Sequence, residues 1–88
     1  MGYNEHLKAL IDAFLSLPER GSQRALSVGA GLAPGWINLF LRTGRASMAS
    51  GDSVVKYIRR ECPVGEEGRL VRQYLAMLDP ELHREDAA

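Results

Sequence analysis

Residues 22–44 read SQRALSVGAGLAPGWINLFLRTG, and the glycine-rich break at their centre, GAGLAPG, decides how the chain is folded. Such a break serves as a phosphate-cradling loop, as a hinge between domains, or as the turn between two packed helices. A dinucleotide loop needs a third glycine where Pro34 stands after Gly29 and Gly31, and it needs a preceding strand, whereas the residues before it have helical spacing. The Walker pattern fails as well, because no Gly-Lys-Ser/Thr follows. A hinge is disfavoured because only about three residues separate two runs whose apolar faces both need cover, and connections that short join packed neighbours. The break therefore reads as a turn between helices.

Outward from this turn the rest of the chain is also helical. Leu7, Leu10, Ile11, Phe14 and Leu15 lie on one helical stripe that Pro18 terminates, which predicts a first helix over 4–17. Ser22 is placed to cap a second helix carrying Leu26 and Ala30 inward, and Pro34 fits the first turn of a third that runs to about Arg42, ahead of Gly44. Ser50 is the expected cap of a fourth, with Val54, Val55, Ile58 and Cys62 inward and Pro63 ending it. Glu66 and Glu67 belong to the first turn of a fifth, whose stripe is Leu70, Val71, Tyr74, Leu75 and Leu78. No alternation long enough for a strand occurs. The expectation is one all-α domain of five helices over residues 1–80, followed by a polar, frayed tail, ELHREDAA.

The spacing around the turn carries a further signal. Gln23 begins the second helix, Leu26 follows three residues on, and the small Ser27 comes next. Gly31 stands four residues later, Leu32 follows it, and Ile37 lies six residues past the glycine, with Phe40 at the next inward position. This pattern resembles the helix-turn-helix of the lambda repressor and Cro family, the Xre-type regulators of phages and bacteria. The resemblance covers about Tyr3 to Tyr74, with one helix before the motif and two after it. It implies a compact lambda-repressor-like domain that acts as a sequence-specific transcriptional regulator, docking its third helix in the major groove of double-stranded DNA as a homodimer. By the same resemblance Ser22, Gln23 and Arg24 face the phosphate backbone, and Gly35, Trp36, Asn38 and Leu39 occupy exposed places at the start of the recognition helix. Arg42 and Arg45 flank its end. Asn38 alone pairs a donor with an acceptor suited to an adenine edge, so DNA shape is expected to share in any specificity.

Charge agrees with that assignment. Eleven basic and eleven acidic residues cancel over the 88-residue chain, yet residues 20–60 hold seven basic side chains against Asp52 alone, a window of +6 balanced by −6 in the two ends. Trp36 and Leu39 make the third helix apolar almost all round, which keeps open a rival reading: a protein-interaction module of the same shape, an antirepressor or dimerisation adaptor without DNA binding. The fifth helix, through Leu70, Tyr74, Leu75 and Leu78, is the expected dimer surface. A single Cys62, which cannot form an internal disulfide, an N-terminus without a signal pattern and the lack of a long apolar run predict a soluble, cytoplasmic protein. His6 and His83 have no ligands at metal spacing, no nucleophile–base constellation is legible, and no cofactor, small-molecule ligand, membrane contact or enzymatic activity is expected.

Overall fold

A computed structural model describes residues 2–18 and 22–78, and these form five α-helices and one 3-10 turn with no strand among them. The expected tail, 81–88, lies outside the described residues, as do Arg20 and His83. The helices are α1 (Tyr3–Leu15), α2 (Gln23–Gly29), α3 (Trp36–Thr43), α4 (Met48–Glu61) and α5 (Arg69–Leu78), with the 3-10 turn at Glu66–Gly68. Helix α1 packs chiefly along α5 and touches α4, while α2 pairs with α3 and leans on α4. The all-α expectation holds for the described residues.

One core joins all five helices. Leu7, Leu10, Ile11 and Phe14 enter it from α1, Leu26 from α2, Ile37 and Phe40 from α3, Val54, Val55 and Ile58 from α4, and Val71, Leu75 and Leu78 from α5. Each such side chain contributes roughly 1.5–3 kcal/mol relative to its exposed state, which is what holds helices too short to persist alone. At seven and eight residues, α2 and α3 are the clearest cases.

The turn between them is fully determined by the backbone. Gly31 takes a left-handed φ of 80°, its N–H donates to the Val28 carbonyl at 2.9 Å, and the next N–H, of Leu32, reaches back to the Ser27 carbonyl at 2.9 Å. This pair of bonds is a Schellman closure, and only glycine adopts its central conformation without strain. Ser22 caps the start of α2, as expected, by accepting from the Ala25 N–H at 3.1 Å.

Several element boundaries differ from the sequence expectation, among them the end of α1, which stops at Leu15 and not at 17. Helix α3 opens at Trp36, two residues after Pro34, because the Ala33 carbonyl is taken by the Trp36 N–H and the first regular helical bond runs from Leu39 to Gly35. Helix α4 is capped by Ser47, whose hydroxyl accepts from the Ser50 N–H at 3.1 Å, so Ser50 lies inside the helix. The buried Gly51 explains the earlier start: a Cβ there would meet the Tyr3 hydroxyl at 2.8 Å and Leu7 at 3.2 Å, so this first turn lies close against α1. Tyr3 is raised above the ordinary tyrosine pKa there, first by burial and then by the charge of Asp52, which keeps it a neutral phenol. Glu66 and Glu67 form a separate 3-10 turn, with α5 beginning at Arg69. Cys62, expected inside the core, is half-buried at the end of α4.

Ser27 does more than leave room for a neighbouring helix. It is wholly buried, donates its hydroxyl to the Gln23 carbonyl at 2.9 Å and accepts from the Ile37 N–H at 3.0 Å. That second bond partners the buried Ile37 amide in the first turn of α3. Ser27→Ala should therefore lower the free energy of unfolding by about 1–3 kcal/mol, the cost of stranding a buried donor. Urea titration checks it, and an unchanged midpoint would remove Ser27 from the structural role assigned here.

Candidate functional site

The α2–α3 pair projects a face that none of the other helices covers. Successive residues of α3 advance by 100°, so Gly35, Asn38, Leu39 and Arg42 share the outward side while Ile37, Phe40 and Leu41 turn inward. Burial follows this division: the four outward residues are exposed, Ile37 and Phe40 are buried and Leu41 is half-buried. Trp36 falls between the two sides. Its ring is half-buried and stacks on Phe40 at 5.4 Å between centroids with 13° between the planes, so it contributes a rim rather than a freely projecting side chain. Leu39, at 51 % exposure, is the open apolar residue of this face.

Gln23 and Asn38 are brought together. The Asn38 amide donates to the Gln23 side-chain oxygen at 3.3 Å, linking the start of α2 to the outer face of α3 and fixing which way Asn38 points. Ser22 is exposed one residue earlier, its hydroxyl oxygen engaged in the cap, and Arg24 is exposed one residue later. Gly35 is exposed as well, and a Cβ built on it meets nothing within 4 Å.

Sequence reasoning placed Arg42 and Arg45 at the end of α3 without saying how they are held. Thr43, which it passed over, supplies the answer: its hydroxyl donates to the Leu39 carbonyl at 3.0 Å and accepts from the Arg45 N–H at 3.3 Å, so the chain beyond α3 is tied back to the helix. Gly44 makes the intervening bend with a φ of 71°. A threonine one residue before a helix-ending glycine was the available signal.

The structure also sorts the basic window into paired and open charges. Lys56 lies 3.3 Å from Asp52 within α4, and Arg60 is 3.6 Å from Glu61 and packs over the Tyr57 ring at 5.4 Å. Arg24, Arg42 and Arg45 are exposed and have no carboxylate partner among the described residues. No family model, curated protein or solved structure matches this chain. What the site can do is therefore argued from its own chemistry: an exposed helix face with one amide, one open leucine and three guanidinium groups that have no carboxylate partner among the described residues suits a polyanionic surface with a groove.

Away from this face the sequence expectations fare unevenly. Of the four residues assigned to a dimer surface, Leu75 and Leu78 are buried in the chain's own core and Tyr74 is half-covered beside α1, leaving Leu70, 53 % exposed, as the open one. Periodicity alone could not separate the two edges of the α5 stripe. Leu70 and Tyr74 border a 450 Å³ groove between α1 and α5, whose wall also includes Ala9, Ala13 and Leu17 and the acidic Asp12 and Glu67. His6 sits on α1 with its Nδ1 3.1 Å from the Gly2 carbonyl, and no cluster of three or more metal-ligating side chains occurs among the described residues. None of their helices is long and apolar enough to cross a membrane.

Proposed function

We propose that the chain is a sequence-specific DNA-binding regulator whose α2–α3 pair acts as a lambda-repressor-like helix-turn-helix. In this reading α3 enters the major groove, Asn38 meets a base edge, Leu39 meets thymine methyl groups, and Gln23, Arg24, Arg42 and Arg45 hold the phosphates on either side. The observation that carries it is the open α3 face itself: Asn38, Leu39 and Arg42 exposed together, with Arg24 and Arg45 at the margins and no carboxylate paired with the three arginines among the described residues. Two copies would place their recognition helices roughly 34 Å apart on a two-fold site.

Selection from a random duplex library followed by an anisotropy titration at two salt concentrations tests this reading. A two-fold consensus whose affinity falls steeply with salt is the expected result. Arg42→Gln and Arg45→Gln should each weaken binding across all sequences and reduce the slope of log affinity against log salt by about 1, the release of one phosphate contact. Slopes unchanged in both variants would remove the arginines from the interface. A second reading, a protein-interaction module of the same shape, is favoured by one observation: Leu39 and Val28 are both more than half exposed on the two helices of the pair. Failure to enrich any duplex, with no binding at low salt, would select it.

A further inference from the structure

A 320 Å³ groove on the α4–α5 side uses none of the α2–α3 residues. Its walls are Arg59, Cys62 and Pro63 around the end of α4, Val64 on the loop that follows, and Arg72, Leu75 and Ala76 on α5. Val64 is 96 % exposed, an aliphatic side chain held outside the core. Arg72 ties down the loop that carries it, because its Nη1 donates to the Pro63 carbonyl at 2.7 Å and to the Gly65 carbonyl at 3.0 Å. One nitrogen anchors the guanidinium, while Nε and Nη2 have no partner among the described residues. A guanidinium held in this way has already lost much of its rotamer freedom, and its remaining N–H fork matches a carboxylate.

The chain carries a segment of matching chemistry beside this groove. Helix α5 ends at Leu78, three residues past Leu75, and residues 79–88, outside the described residues, read DPELHREDAA. They hold four acidic side chains against Arg84 and His83, a single large aliphatic, Leu82, and a turn-forming Asp79-Pro80 pair. Leu78 stands six residues from Arg72, about 9 Å along the helix, and the three residues from Leu78 to Glu81 span up to about 10 Å, so Glu81 is within reach of Arg72. We propose that the groove is the docking site of the chain's own residues 79–88, with the Glu81 carboxylate on the open edge of Arg72 and Leu82 between Val64 and Leu75. Tethering selects this occupant over an acidic segment of a partner: joined to the groove wall by a few residues, the tail meets it at an effective concentration on the order of millimolar, and an untethered segment of the same chemistry has to displace it. The tail of a second copy has only its bulk concentration. The contact does not depend on whether α3 engages DNA.

The test is the rate at which the Cys62 thiol, part of the groove wall and the chain's single cysteine, reacts with uncharged iodoacetamide in the full chain. Leu82→Ser and Glu81→Gln should each speed the reaction by about threefold or more, because each weakens a contact that holds the tail over the groove. Val64→Ser combined with Leu82→Ser should react no faster than the faster of the two single variants, since both empty the same contact. Melting temperatures should be unchanged in all of them, so that a faster reaction reports the groove and not unfolding. The wild-type rate should be independent of protein concentration. An unchanged rate in either tail variant would overturn the proposal and leave the groove to a partner's segment. Full additivity in the double variant would overturn it as well, and so would wild-type protection that grows with protein concentration, the mark of a second copy's tail.

Discussion

Gly68→Ala is expected to lower the free energy of unfolding by about 3 kcal/mol or more, among the most damaging single changes this chain can suffer. Gly68 is buried in the 3-10 turn, and a Cβ there would collide with the Pro63 backbone carbonyl and crowd the Cys62 sulfur at 3.1 Å and Arg72 Nη1 at 3.0 Å. The carbonyl cannot retreat cheaply, because Arg72 holds it at 2.7 Å and its partner Gly65 carbonyl at 3.0 Å. The Gly68 N–H adds a further tie to the Gly65 carbonyl at 3.1 Å. Gly29 offers the contrast. A Cβ on it would meet the outer atoms of the Tyr57 ring at 2.5 Å, and a ring edge can swing where a peptide group cannot. Guanidinium chloride titration reads the Gly68 effect directly, and a loss below about 1 kcal/mol would show that the 62–68 loop is softer than its hydrogen bonds imply.

Phe40→Ala should cost about 3–5 kcal/mol, the usual penalty for emptying a buried aromatic site. Domains of this kind hold only about 5–15 kcal/mol in total, so the variant should be close to its unfolding threshold at ambient temperature. Phe40 is 1 % exposed, and it also supports the Trp36 ring from beneath. Its removal should consequently unseat α3 before the rest of the molecule, and any DNA affinity should fall along with stability. Phe40→Leu preserves most of the volume and should cost under about 1.5 kcal/mol, so it separates a packing role from direct contact with a ligand. Thermal melts of the pair of variants, with duplex titrations on the leucine form, give the comparison. A Phe40→Ala protein as stable as wild type would place the core elsewhere than described.

The elements that sequence reading located well are those marked by local chemistry. Pro18 and Pro63 stop helices because they cannot continue the hydrogen-bond ladder, Gly31 takes the conformation open to few other residues, and Ser22 is the polar residue nearest the start of its run. What escaped it depends on contacts distant in sequence. Two serines three residues apart, Ser47 and Ser50, are equally good caps on paper, and only the packing of Gly51 against Tyr3 and Leu7 favours the earlier start. Pro34 suggested an early beginning for α3, but Ala33 turns its carbonyl to Trp36 and the Ile37 amide is claimed by Ser27, ten residues away. The α5 stripe is wide enough that Leu70 and Leu75 look alike in one dimension, while one is open and the other is buried. The groove beside Val64 has no sequence signature, since it arises where the ends of two helices and a loop meet.

The hydroxyl of Ser27 has a consequence for how the molecule comes apart. It gives a bond to the backbone of α2 and takes one from the backbone of α3, so neither helix retains its full set of partners once the other has opened. Two segments of seven and eight residues that would each melt freely in isolation are thereby joined into one cooperative unit, which gives the face built on them a single on-or-off lifetime in place of a graded one.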